Sequence, residues 1–270
     1  MSTQPSVQHR PFTVLDCSAA RAQGRKIVVV TAYDFPTAQL LDEAGVDILL
    51  VGDSLGMVVQ GHANSLSVTL DEMIYHTKMV TRAARRSMVV TDLPFMTYQL
   101  SPQQALENAG KVIQQSGAHA VKLEGGERSA AAIAAITAAD IPVMGHIGLT
   151  PQSINAFGGF KVQREEKKLM DDAQAVAAAG AFAMVIEGVP AELGAKITAS
   201  VNIPTIGIGA GPGCDGQVLV FHDLFQFGLG HRPRFVKSYA DLSKEVVQGS
   251  KCFIDEVRAG RFPGPAQQYE

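Results

Sequence analysis

Three stretches of the chain repeat one pattern: AGVDILLVGD at 44–53, SGAHAVKLEG at 116–125 and AGAFAMVIEG at 179–188. Each reads as a helix-ending glycine, a short link and an apolar strand that closes on an acid. A second pair, IPVMGHIG at 141–148 and IPTIGIGAG at 203–211, opens on Ile-Pro and again runs as a short apolar strand. Continuous apolar runs of this length, bounded by turn residues, are what strands buried on both faces of a parallel sheet look like. They predict strands near 27–31, 48–52, 88–92, 119–124, 142–147, 182–187, 204–208 and 217–221.

Helical patterns with recognisable starts lie between these runs. Pro36 reads as a first helical residue, Thr69 with Glu72 as a capping box, Ser101-Pro102 with Gln104 as a second start, and Pro190 as another. Gly45, Gly117 and Gly180 sit where helices stop. Eight strands alternating with helices predict an α/β fold, a single (β/α)8 TIM barrel spanning 1–270, with no linker-like shift in composition to divide it. Flexible ends are expected near 1–10 and 264–270. A doubly wound open sheet is the alternative architecture.

Composition narrows the chemistry. At 46% hydrophobic and 18% charged, with a net charge of −3, the chain has no basic field for nucleic acid or anionic lipid, which favours small-molecule substrates. Cys17, Cys214 and Cys252 are odd in number and far apart, with neither a disulfide framework nor zinc-ligand spacing, and fit a reducing cytoplasm. The N-terminal MSTQPSVQHRPF has no apolar core of a signal peptide, and no run of about 18 strongly apolar residues occurs, so neither secretion nor membrane spanning is expected.

Two motifs point elsewhere. VGDSLGM at 51–57 contains both G-x-S-x-G and GDSL, signatures of serine hydrolases. A nucleophile elbow turns from strand directly into helix. Here Gly61 and Asn64 interrupt the following segment, so no helix is expected before Thr69. GDSL esterases also need a D-x-x-H pair, which no Asp of this chain provides, leaving His222 as the histidine a Ser54 triad would have to recruit. GPGCDG at 211–216 is a formal G-x-G-x-x-G, yet an apolar run follows it and Pro212 offers no N–H, which argues against dinucleotide binding. A phosphate-holding loop late in a barrel stays open for this segment.

A parallel barrel gathers its active site at the C-terminal ends of its strands. Those ends carry Asp53, Asp92, Glu124 and Glu187, with His146 closing the fifth run. Two like charges about 4 Å apart repel by about 4 kcal/mol at an effective dielectric near 20, so converging carboxylates call for a cation. Oxygen ligands without a Cys or His cluster indicate Mg2+ or Mn2+ rather than zinc. Lys122 and Glu124 are two apart on one strand and face the same way, either as a buried ion pair or with Lys122 receiving an anionic substrate. His146 is a candidate substrate contact or a loop-bonding residue, while His62, His76 and His231 are read as having no part in the chemistry.

Taken in order, VTAYD (30–34), VGDSLGMVVQGH (51–62), DLPFM (92–96), VKLEGG (121–126), GHIGLTPQS (145–153), FGGFKVQ (157–163) and GIGAG (207–211) closely resemble the ketopantoate hydroxymethyltransferase family. The resemblance runs from about residue 12 to 262. It implies a Mg2+-dependent barrel of the phosphoenolpyruvate mutase and isocitrate lyase type, assembled as a homo-oligomer, a decamer, in pantothenate synthesis. Carried over, the metal-binding acids fall on Asp53, Asp92 and Glu124, the 2-oxo acid contacts on Asp53, Ser54, Asp92 and Lys122, and the proton acceptor on Glu187. The implied reaction joins a one-carbon unit from 5,10-methylenetetrahydrofolate to 3-methyl-2-oxobutanoate through an enolate, giving 2-dehydropantoate. A folate-independent Mg2+ lyase of a 2-oxo acid would use nearly the same acids.

Overall fold

A computed structural model describes residues 10–230 and 233–269. The chain forms two compact units, the first ending at Val220 and the second starting at Phe221. Eight parallel strands close the first unit into a barrel in sequence order: β1 (Ile27–Thr31), β2 (Ile48–Val51), β3 (Met88–Asp92), β4 (Ala120–Lys122), β5 (Val143–Gly148), β6 (Ala183–Glu187), β7 (Thr205–Ile208) and β8 (Gly216–Leu219). The expected (β/α)8 barrel is the observed one, and β8 pairs back onto β1.

Alternation along each strand sorts the side chains into two cores. Ile27, Ile48, Met88, Val90, Ala120, Met144, Val185 and Ile206 point inward and fill the barrel. The helix Val14–Ala22 adds Cys17 and Ala20 to this cluster. Val121, Leu123, Val143, Ile147, Met184 and Ile186 point outward and bury the apolar faces of the surrounding helices, among them Val112, Ile133, Ile136, Val176 and Ile197. Burying one such side chain is worth about 1.5–3 kcal/mol, so the scaffold is secured well away from the polar barrel mouth.

Local signals set the helix limits. Thr69 and Glu72 form the anticipated capping box at the start of Leu70–Ala83. The Ser101 side chain accepts from Gln104 N at the start of Pro102–Ser116, and Gly117 ends that helix at φ 75°, a backbone conformation that glycine adopts without strain. The second helix begins one residue before Pro36, at Phe35, because Asp34 caps it by accepting from Thr37 N. One expectation is overturned: a helical turn does follow Ser54, starting inside VGDSLGM and spanning Leu55–Val58 with Ser54 at its N-cap. The interruptions at Gly61 and Asn64 lie beyond this single turn and stop its extension, not its start.

The second unit contains the turn Phe221–Leu224 and the helix Leu242–Arg258, which Asp241 caps through Lys244 N at 2.9 Å. None of this helix's residues is buried, and Val246, Val247, Phe253, Ile254 and Val257 are exposed. A 3-10 turn, Pro265–Gln267, occupies the tail expected to fray, whereas residues 1–9 and His231 lie outside the described residues. Among the described residues no helix is long and apolar enough to cross a membrane.

Candidate active site

Strand register assembles the first contact. Asp92 on β3 pairs with Lys122 on β4, and the ammonium lies 2.8 Å from Asp92 Oδ1 with both side chains 5% exposed. From Lys122 a chain of contacts crosses the barrel mouth. Its Nζ is 3.3 Å from His146 Nδ1 on β5, and His146 Nε2 is 3.3 Å from Glu187 Oε2 on β6. Glu124 Oε1 also approaches His146 Nδ1, at 3.6 Å.

Asp92 and Glu187 end their strands as expected, but the other groups sit differently. Asp53 and Glu124 each lie two residues beyond β2 and β4, and β5 runs on past His146 to Gly148. His146 therefore faces the mouth from within its strand, bracketed by Lys122 on one side and Glu187 on the other. Asp53 N donates to Asp92 Oδ2 at 3.1 Å, which draws the first two acids together.

Charge is scarce on the positive side. Asp53, Asp92 and Glu124 are buried, and among the described residues Lys122 is the ammonium that faces them. Burial, then the neighbouring Asp92 charge, pushes Asp53 up to about 7 despite Lys122 and Gln152. Burial and Asp53 raise Glu124 well above the usual carboxylate range. Burial alone would depress Lys122, but Asp92, Glu124 and Asp53 outweigh it and hold the ammonium protonated. Glu187, 15% exposed at its side chain, is pushed up to about 7 by burial. His146 is held well below its ordinary value by burial and by Lys122, and so is neutral.

Ser54 is half-buried at the mouth, and its Oγ is 2.8 Å from Tyr33 Oη. Burial raises the Tyr33 phenol, so it stays protonated and cannot activate a serine as a general base would. Among the described residues, the side chain hydrogen-bonded to Ser54 Oγ is thus a protonated phenol and not a base. Gly52 is needed for this geometry because a Cβ there would meet Ser54 Oγ at 2.8 Å.

Sequence reasoning missed Gln152 and Tyr98. Gln152 Nε2 donates to Asp53 Oδ2 at 2.8 Å and to Leu93 O at 3.0 Å, while its backbone N donates to Glu124 Oε2 at 2.9 Å. Tyr98 Oη lies 2.7 Å from Gln152 Oε1, to which it donates, and accepts from Glu124 N at 3.1 Å. Gln152 stands inside GHIGLTPQS, in the single 3-10 turn Pro151–Ser153, which is too short for any periodicity to mark it. Among the described residues no three His, Cys, Asp or Glu side chains form a ready-made metal cage.

In architecture the chain is a closed (β/α)8 barrel, a fold that recurs in solved enzyme structures. The solved structure of 2,3-dimethylmalate lyase, a member of the phosphoenolpyruvate mutase/isocitrate lyase superfamily, is 17% identical and superposes with a TM-score of 0.61 over 95% of this chain and 91% of that one. Phosphonopyruvate hydrolase in complex with oxalate and Mg++ is 15% identical, with a TM-score of 0.62 over 96% of this chain and 92% of that one. Sequence resolves the relationship further. The profile of the ketopantoate hydroxymethyltransferase family matches residues 11–265. The 3-methyl-2-oxobutanoate hydroxymethyltransferase of Pelobacter propionicus is 52% identical over 96% of this chain and 97% of its own length, and the protein of that name from Thermoanaerobacter sp. strain X514 is 53% identical over 90% of each. The chain belongs to the ketopantoate hydroxymethyltransferase family.

Proposed function

We propose that the barrel mouth transfers a hydroxymethyl group from 5,10-methylenetetrahydrofolate to 3-methyl-2-oxobutanoate, giving 2-dehydropantoate and tetrahydrofolate in pantothenate synthesis. The observation that carries this reading is the line of contacts Asp92–Lys122–His146–Glu187, which sets an anion-binding ammonium and a carboxylate base on different strands facing one space. Water supplies the hydroxyl oxygen as the methylene carbon leaves the folate. The C3–H bond of the oxo acid breaks and a C3–C bond replaces it.

In this assignment the Lys122 ammonium receives the substrate carboxylate, and Ser54 and His146 offer it further hydrogen bonds. Glu187 removes the C3 proton. Its pKa of about 7 suits a base working near neutrality, strong enough to accept a proton and still ionised. The low exposure of the surrounding acids keeps water away from the enolate.

Asp53, Asp92 and Glu124 would hold Mg2+. The fit rests on the shortage of positive charge: among the described residues Lys122 is the ammonium these buried acids face, and the elevated Asp53 and Glu124 express the deficit. Mg2+ takes oxygen ligands and commonly one or two protein carboxylates, leaving its other positions to water and substrate, so a preformed cage is not required. Bound there, the ion would supply Lewis acidity toward negative charge developing on the substrate.

The assignment extends to a homo-oligomer, a decamer, supported by the exposed apolar residues of Leu242–Arg258. Light scattering checks it. A cytoplasmic setting is supported by three free cysteines. The deciding experiment supplies purified protein with 3-methyl-2-oxobutanoate and methylenetetrahydrofolate, with and without Mg2+. Metal-dependent tetrahydrofolate formation is expected. Its absence under every metal condition overturns the transferase reading, and cleavage of a 2-oxo acid without folate would point to a lyase.

A further inference from the structure

We infer that Gln152 is the positioning residue of the metal centre, setting Asp53 and Glu124 relative to one another from the 3-10 turn Pro151–Ser153. The inference rests on the assignment of those two acids to Mg2+.

Gln152 has few degrees of freedom left. A glutamine side chain offers two N–H donors and a carbonyl oxygen with two lone pairs. Here both donors go to acceptors that cannot donate when Asp53 is ionised, Asp53 Oδ2 and Leu93 O. The carbonyl oxygen accepts from Tyr98 Oη at 2.7 Å and Gln99 Nε2 at 3.1 Å. Turning the amide over would place oxygen against oxygen at Asp53, so the orientation is fixed by its partners. At 6% exposure, the residue has little water to compensate any lost bond.

The connection is also long in sequence and short in space. Asp53 follows β2, Leu93 and Tyr98 follow β3, Glu124 follows β4, and Gln152 follows β5. One side chain and its own backbone N–H therefore tie four separate strand-to-helix connections. Asp53 Oδ2 and Glu124 Oε2 each spend one oxygen on Gln152, which leaves Asp53 Oδ1 and Glu124 Oε1 free of it. Holding one oxygen of each carboxylate fixes where the other can point. Groups that orient metal ligands in this way typically contribute about 10- to 100-fold in metal affinity.

The test measures Mn2+ affinity in the absence of substrate, from the electron paramagnetic resonance of free Mn2+, alongside thermal melting. Gln152→Met keeps the side-chain length and removes the side-chain hydrogen bonds to Asp53 and Leu93, while the backbone N–H stays on Glu124. About 10-fold or greater weakening of Mn2+ binding is expected, with a cooperative melt retained. Asp53→Ala is the control. If Asp53→Ala loses Mn2+ affinity while Gln152→Met binds as the wild type does, the positioning role is overturned and the ligand assignment stands. If both bind as the wild type does, the ligand assignment falls and takes the inference with it. Should Gln152→Met not fold, Tyr98→Phe carries the measurement, because it removes the shorter of the two hydrogen bonds that Gln152 Oε1 accepts without altering a carboxylate; unchanged Mn2+ affinity there overturns the inference.

Discussion

His146 Nε2 lies 3.3 Å from Glu187 Oε2 across the seam between β5 and β6. The ammonium of Lys122 can only donate, so His146 Nδ1, 3.3 Å from it, accepts and Nε2 carries the ring proton. A neutral imidazole thus presents N–H to the proposed base. The two groups are close but not aligned as a hydrogen bond, leaving the carboxylate available to turn toward substrate.

Replacing His146 by Phe puts an apolar ring where a polar N–H faces Glu187, so the carboxylate is desolvated further and its pKa should rise. The acid limb of kcat/KM should therefore move to higher pH. An unshifted limb, followed by tetrahydrofolate release across pH, would separate His146 from the base.

The wild-type profile has a definite sign. Glu187 is raised to about 7, and only its ionised form accepts a proton. Activity should therefore fall about tenfold per unit as pH drops below about 7 and level off above it. The limb should be absent in Glu187→Gln.

That variant also tests the base directly. Glutamine preserves size and hydrogen bonding but takes no proton at neutral pH, so folate-dependent turnover should fall about 10^2- to 10^4-fold while substrate binding persists. In D2O with Mg2+ and no folate, the wild type should exchange the C3 hydrogen of 3-methyl-2-oxobutanoate, as read by proton NMR. Wild-type exchange in Glu187→Gln refutes the role.

Asp53→Ala and Asp92→Ala should lose Mg2+ binding and activity together, since each removes a carboxylate while the apolar barrel layers stay intact. Calorimetric Mg2+ titration with circular dichroism separates this from unfolding. Full activity of either variant at limiting Mg2+ contradicts the metal assignment.

Ser54→Ala should retain measurable turnover. The lost hydrogen bond to substrate costs about 1–3 kcal/mol, and the Tyr33 contact goes with it. Steady-state kinetics giving complete inactivity with normal substrate and metal binding would return Ser54 to consideration as a nucleophile.

Much of this arrangement is legible in the linear chain because barrel strands are short, apolar and end at the site. The expected and observed limits of β1 and β3 coincide, and the i, i+2 spacing of Lys122 and Glu124 places both on the mouth side of β4. Contacts between loops leave no such trace. Gln152 meets Asp53 across 99 residues, and neither composition nor period signals that pairing. The helical turn after Ser54 escapes for a local reason: four residues are too few to establish a 3.6-residue repeat.

The barrel also couples chemistry to parity. At the end of β4, Lys122 faces the mouth, whereas Val121 before it and Leu123, the first residue past the strand, belong to the apolar layer under the helices. Shifting that strand by a single residue would send the ammonium into the helix-packing layer and put an aliphatic chain opposite Asp92. Substitution here trades one side chain for another, but a one-residue insertion or deletion exchanges the entire interior for the exterior. For this strand, the reading frame of the fold is two residues.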